Sequence, residues 1–176
     1  MGRYTRTLTK SLAQNTARSF KKLPMGYTVR LATLKDLDTI LDIAAQCFPT
    51  DLPVRRGMRN YLTKAHAAVF MIEDKKGAVA GYHHVEANAS NKILYLNTVA
   101  LLPAHRGKGI GKVLYDFQEL LALRGKFSGV RFHVSDENPA SLKLAKSCGY
   151  KMIKLEKGYL EDGSDSYLME KKVGPA

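Results

Sequence analysis

The stretch "VALLPAHRGKGIGKVLYDF", residues 99 to 117, constrains the fold more than any other part of the chain. An apolar run stops at Pro103. Arg106, Gly107, Lys108, Gly109, Ile110 and Gly111 follow, and then apolar residues recur at helical spacing. A strand that turns through glycines into a helix leaves backbone N–H groups unpaired at the helix start, where an anion can be held. Glycine supplies the positive φ and close approach that such a turn needs. Arg106, Lys108 and Lys112 add positive charge. The expected ligand is a phosphate or pyrophosphate, and the expected fold class is α/β.

Two familiar phosphate loops do not fit. A P-loop ending at Gly111-Lys112 requires Gly at 106 and Ser or Thr at 113, where the chain has Arg106 and Val113. A dinucleotide fingerprint starting at Gly107 requires Gly at 112, which is Lys112. A third pattern, R/Q-x-x-G-x-G/A, fits as Arg106, Gly109 and Gly111.

The rest of the chain alternates strand and helix signals. "YTVRLA" reads as a strand, and "TLKDLDTILDIAAQCF" as a helix opened by Thr33 and Asp36 and closed by Pro49 and Pro53. Residues 54–66 read as a second, basic helix. "AAVFMIE" and "AVAGYHHVEA" flank a Gly77 turn as a hairpin, and "KILYLNTVALL" is the next strand. Residues 108–124 form a helix, followed by the strand "GVRFHV". Asn138 caps a helix with Pro139 at its first position, which Gly149 stops. "YKMIKLEK" and "DSYLMEKK" end the chain as strands. The order is β-α-α-β-β-β-α-β-α-β-β, a single mixed α/β domain over 25–176.

Residues 1–24 differ from this domain, with six Lys and Arg and no acidic residue. They are expected to be a frayed, solvated basic extension, with a nucleic-acid or ribosome arm as the functional alternative. The 176 residues carry a net charge of +12, which points to an anionic ligand or partner. Cys47 and Cys148 stand far apart, outside any CxxC pair, and no His cluster has metal-ligand spacing, so reduced thiols, no metal and a cytoplasmic setting are expected. No apolar run reaches the length of a membrane span.

With the third loop pattern the chain resembles the GCN5-related N-acetyltransferases. "HRGKGIG" after "VALLP" is similar to their pyrophosphate loop. Asn138, Ser141, Leu144 and Gly149-Tyr150 are similar to a second family signature, at the right distance and with the right strand between. The likeness spans about residues 27 to 172. It implies a mostly antiparallel central sheet flanked by helices, acetyl-coenzyme A as cosubstrate, and direct transfer to a primary amine without an acyl-enzyme. By the same resemblance residues 107–112, including Lys108, Ile110 and Lys112, cradle the pyrophosphate. Val99, Ala100 and Leu101 pair with the pantetheine arm, the Leu101 N–H polarises the thioester carbonyl, and Asn138 binds near the sulfur end.

One departure stands out. Many family members carry a tyrosine where this chain has Ala145, and it protonates the departing thiolate. Either water protonates the thiolate instead, or another group stands in, with Ser147, Tyr150 and Tyr159 the candidates. For the base, aligning "VRFHVSDEN" on Asn138 places His133 where the ribosomal-protein acetyltransferases carry a Glu. Glu86, or His84 on the same strand face, is the other catalytic candidate. The segment "KLEKGYLEDGSDSYLM" is similar to the C-terminal hairpin of protein N-terminal acetyltransferases, so a peptide or protein amine is the expected acceptor. A polyamine, an aminoglycoside or aminoacyl-tRNA is the alternative, as is a non-catalytic acetyl-coenzyme A sensor. The expected assembly is a monomer or homodimer.

Overall fold

A computed structural model describes residues 8–49, 53–88 and 90–174. The helices are α1 (Lys10–Ser19), α2 (Leu37–Cys47), α3 (Arg55–Thr63), α4 (Ile110–Arg124) and α5 (Pro139–Ser147). The strands are β1 (Thr28–Leu31), β2 (Ala67–Glu73), β3 (Val79–Asn88), β4 (Ile93–Leu101), β5 (Gly129–Ser135), β6 (Lys151–Glu156) and β7 (Ser166–Lys172). They form one seven-stranded sheet in the order β1-β2-β3-β4-β5-β7-β6. Every neighbouring pair is antiparallel except β4 and β5. From β1 onward this is the expected order of elements. No helix among the described residues is long and apolar enough to cross a membrane.

Apolar clusters cover both faces of the sheet, which is why "AAVFMIE" in β2 reads as an unbroken apolar run. Phe70 and Ile72 pack on the face covered by α1, α4 and α5. Val69 and Met71 pack on the face covered by α2 and α3. Strand alternation thus assigns each residue of β2 to one of two layers.

Residues 8–23 differ from the expected solvated extension; residues 1–7 lie outside the described part. Thr9 caps α1 by accepting from the Leu12 N–H at 3.0 Å. Leu8, Ala13, Ala17 and Phe20 are buried in the main core, and the Phe20 ring meets Phe117 of α4 edge-on. Lys10 is also drawn inward, donating from Nζ to the Ala67 carbonyl at 2.7 Å. The helical spacing of those apolar residues outweighs the basic composition around them.

His83 sits fully buried between Phe70 and Phe117. Burial disfavours its charged form and pushes it down to about 3. The ring is therefore neutral in the folded protein and gains its proton readily only on unfolding. Its contribution is fully present above the unfolded-state value near 6.5 and falls away as the pH drops toward 3. The expected result is a stability loss of about 1.4 kcal/mol per pH unit below pH 6.5 from this residue. Denaturant melts at pH 6.5 and pH 5 should show that a His83→Leu variant loses about 2 kcal/mol less than the parent chain. Equal losses would contradict the assignment.

Candidate functional site

The site is opened by two irregularities in the middle of the sheet. The first is a bulge: Thr98 stands opposite His84 and Leu96 opposite Val85, leaving Asn97 as the extra residue of β4. The second is a splay. β4 and β5 pair from Ile93–Gly129 to Tyr95–Arg131, and past that point the strands part. Two cavities that share lining residues fill the wedge. One, of about 690 Å³, runs under the glycine loop. The other, of about 470 Å³, lies between β4, β5, α3 and the start of α5.

The loop is shaped as the residues suggest. Gly107 and Gly109 both take positive φ, +73° and +77°, and a Cβ placed on either would meet nothing within 4 Å. Gly109 caps α4 without a side chain, and there is no acidic residue in the first turn. The N–H groups of Ile110, Gly111 and Lys112 are the first of the helix, left unpaired by α-helical geometry. Gly107, Gly109, Ile110, Gly111 and Lys112 all line the larger cavity. Arg106 lines it too, and is held by donating from Nε to the Leu101 carbonyl at 2.8 Å. Lys108 is placed differently. Its side chain turns back toward Tyr27, 3.4 Å from the phenol oxygen, so only its backbone is left for the loop's role.

The exposed edge of β4 follows from one hydrogen bond. The Leu102 N–H donates to the Ala80 carbonyl at 2.9 Å, across to β3. Backbone groups alternate between the two edges of a strand. Val99 and Leu101 therefore turn toward the edge that β5 has left, while Ala100 turns toward β3. The Leu101 carbonyl agrees, since it accepts from Arg106 on that open side. A thin chain bearing amides can be added there as an extra strand.

Asn138 caps α5 as expected, its Oδ1 accepting from the Ser141 N–H at 2.9 Å. It also lines both cavities, together with Val99, Leu96, Tyr115, Ser141 and Phe48. These residues mark the waist between the two halves.

The two predicted catalytic residues are not brought together. His133 faces the smaller cavity. Its Nε2 lies 2.6 Å from Glu156 Oε2, and the Tyr159 ring stacks on the imidazole at 3.9 Å between centroids. Lys154, and after it His133, hold the Glu156 carboxyl below its usual range. Glu86 lies instead in a separate hollow with Tyr95 and Asn97. Of the residues beside it, His84 and Asn97 also face the cleft, and the His84 Nε2 is 3.7 Å from its carboxylate, an ion-pair distance too long for a hydrogen bond. Glu86 thus stands outside both cavities, in contrast to its expected place at the reacting centre. Tyr115 is not among the site residues that the sequence singles out, and nothing in the sequence pairs Glu156 with His133.

The sequence model of the acetyltransferase (GNAT) family matches residues 37–150, from the start of α2 to the end of the second signature. The chain belongs to the GNAT family. It is an N-acetyltransferase, and members of this family generally use acetyl-coenzyme A. The N-alpha-acetyltransferase of Sulfolobus acidocaldarius is 29% identical over 160 residues, covering 84% of this chain and 94% of that protein. Among solved structures, Ard1 from Thermoplasma volcanium superposes with a TM-score of 0.74 at 20% identity, covering 85% of this chain and 99% of that one. A spermidine/spermine N-acetyltransferase from Vibrio cholerae gives 0.71 at 18% identity, covering 84% and 92%. At such identities the structures establish the GNAT fold and leave the acceptor to be argued from the site.

Proposed function

We propose that this GNAT transfers the acetyl group of acetyl-coenzyme A to the α-amine of a peptide or protein. The observation that carries the acceptor class is the lining of the smaller cavity. Among the described residues no Asp or Glu lines it; Phe48, Met58 and Tyr61, with polar groups such as Asn97, Thr98 and Ser135, form its wall instead. A polyamine or an aminoglycoside brings several positive charges, and burying them against such a wall without carboxylates is costly. A peptide N-terminus brings one amine and one side chain. The names of the sequence relatives, N-alpha-acetyltransferases, support the same class.

The roles of the chain's own residues follow. Acetyl-coenzyme A supplies an acetyl thioester. The N–H groups at 109–112 and the charges of Arg106 and Lys112 suit its pyrophosphate, and the open edge at Val99 and Leu101 suits its amide-bearing arm. Val99 lines both halves and Leu101 only the larger one. The thioester carbonyl, which must meet the amine, therefore falls to the Val99 N–H, two residues from the Leu101 N–H expected from sequence. His133 is the general base. With Glu156 accepting from Nε2–H, the free lone pair is on Nδ1, and that atom takes a proton from the attacking amine.

The test is coenzyme A release from acetyl-coenzyme A. Peptides with a free N-terminus should turn over, and the same peptides with a blocked N-terminus and no lysine should not. Turnover with spermidine, an aminoglycoside or aminoacyl-tRNA and none with peptides would overturn the acceptor assignment.

A further inference from the structure

Ala145 leaves this GNAT without the tyrosine that would protonate the departing thiolate, and the structure disposes of the simple substitutes. The Tyr150 phenol is buried and accepts from Gln118 Nε2 at 2.9 Å, outside both cavities. Ser147 donates its hydroxyl to the Leu144 carbonyl of its own helix at 2.7 Å. Tyr159 stacks on His133 at the acceptor end. One further tyrosine remains at the waist.

We infer that Tyr115, reaching from α4, is the proton donor to the leaving sulfur, replacing from a different helix the residue lost at position 145. This rests on the acetyl-coenzyme A reading above. Tyr115 lines both cavities, as do Val99, Asn138 and Ser141. A thioester whose carbonyl is bound at Val99 has its sulfur at this waist. The ring is fixed by packing on Phe132 and Tyr150, with centroids 5.3 and 5.0 Å away, and Tyr115 is only 8% exposed. Ala145 belongs to the same core cluster as Tyr115.

The chemistry balances within the site. The amine nitrogen forms a bond to the carbonyl carbon and gives a proton to His133. The C–S bond breaks, its electron pair stays on sulfur, and Tyr115 passes its phenolic proton to that sulfur. Solvent returns a proton to the phenolate and removes one from His133, leaving acetylated amine and free thiol. Burial pushes the Tyr115 phenol well above the usual tyrosine range, with the Cys148 thiol adding to the shift and the Ser141 hydroxyl opposing it. The phenol therefore holds its proton at any working pH. A thiolate forming in the same desolvated space is a correspondingly stronger base.

Tyr115→Phe tests this, because it keeps the ring contacts and removes the hydroxyl alone. The variant should lose at least about tenfold in kcat, with acetyl-coenzyme A affinity within about twofold of the parent and an unchanged melting temperature. A second readout needs no turnover. Calorimetric affinity for free coenzyme A should favour the parent over the variant increasingly from pH 7 to 9.5, by up to about tenfold, because a phenol donor stabilises the ionised thiol. Acetyl-coenzyme A, whose sulfur cannot ionise, should show no such trend. Unchanged kcat would overturn the proposal. So would a fall in kcat with identical coenzyme A profiles, which would assign the hydroxyl to packing. Failure of the parent chain to bind acetyl-coenzyme A would overturn the cosubstrate reading and this proposal with it.

Discussion

Replacing Gly109 with valine should raise the dissociation constant for acetyl-coenzyme A by about 100-fold or more while the chain still folds. The space beside Gly109 is open on the protein side, since an added Cβ meets nothing within 4 Å. That space is where the pyrophosphate is expected to lie, so the valine methyl groups displace the ligand and not the core. The positive φ of +77° adds a second effect. A β-branched residue there costs about 1–2 kcal/mol, which either lowers the melting temperature by a few degrees or turns the N–H groups of the loop away from the ligand. Calorimetry and a thermal melt on the same sample separate the two. Parent-like affinity would remove the loop from the cosubstrate site.

His133→Ala should lower kcat/KM by about 100-fold, the usual scale for a lost general base. The sign of the pH dependence follows from the role. A base must be neutral to act, so the parent rate should rise with pH along an acid limb. The variant should lack that limb, and added imidazole should restore part of the rate. Glu156→Gln should lie between parent and His133→Ala, because the ring remains while the carboxylate that fixes its tautomer is gone. An unchanged pH profile in His133→Ala would move the base elsewhere, with His84 and its Glu86 partner the next pair to test.

The features legible in the sequence are those set by neighbours in the chain. The glycine loop needs only a strand, three glycines and a helix in succession, and Asn138 needs only the three residues after it to act as a cap. His133 was legible too, through its fixed distance from Asn138. Its partner was not. Glu156 follows 23 residues later on β6, which lies two strands from β5 with β7 between them, and strand order is a property of the whole sheet. Tyr115 was hidden for a different reason. On α4 it falls outside the inward stripe of Ile110, Val113, Leu114, Phe117, Leu120 and Leu121, and only the splay of β4 from β5 shows that its ring stands at the waist of a cleft. The position of α1 was missed because six basic residues dominate the composition of 1–24, whereas the fold depends on Leu8, Ala13, Ala17 and Phe20.

The most direct measurement locates the acetyl group on a peptide that offers a choice. A peptide with a free α-amine and an internal lysine would be incubated with acetyl-coenzyme A and the chain, then fragmented in a mass spectrometer. Acetylation of the α-amine alone is the predicted result. Acetyl on the lysine side chain, or on neither amine while spermidine is modified under the same conditions, would contradict the account.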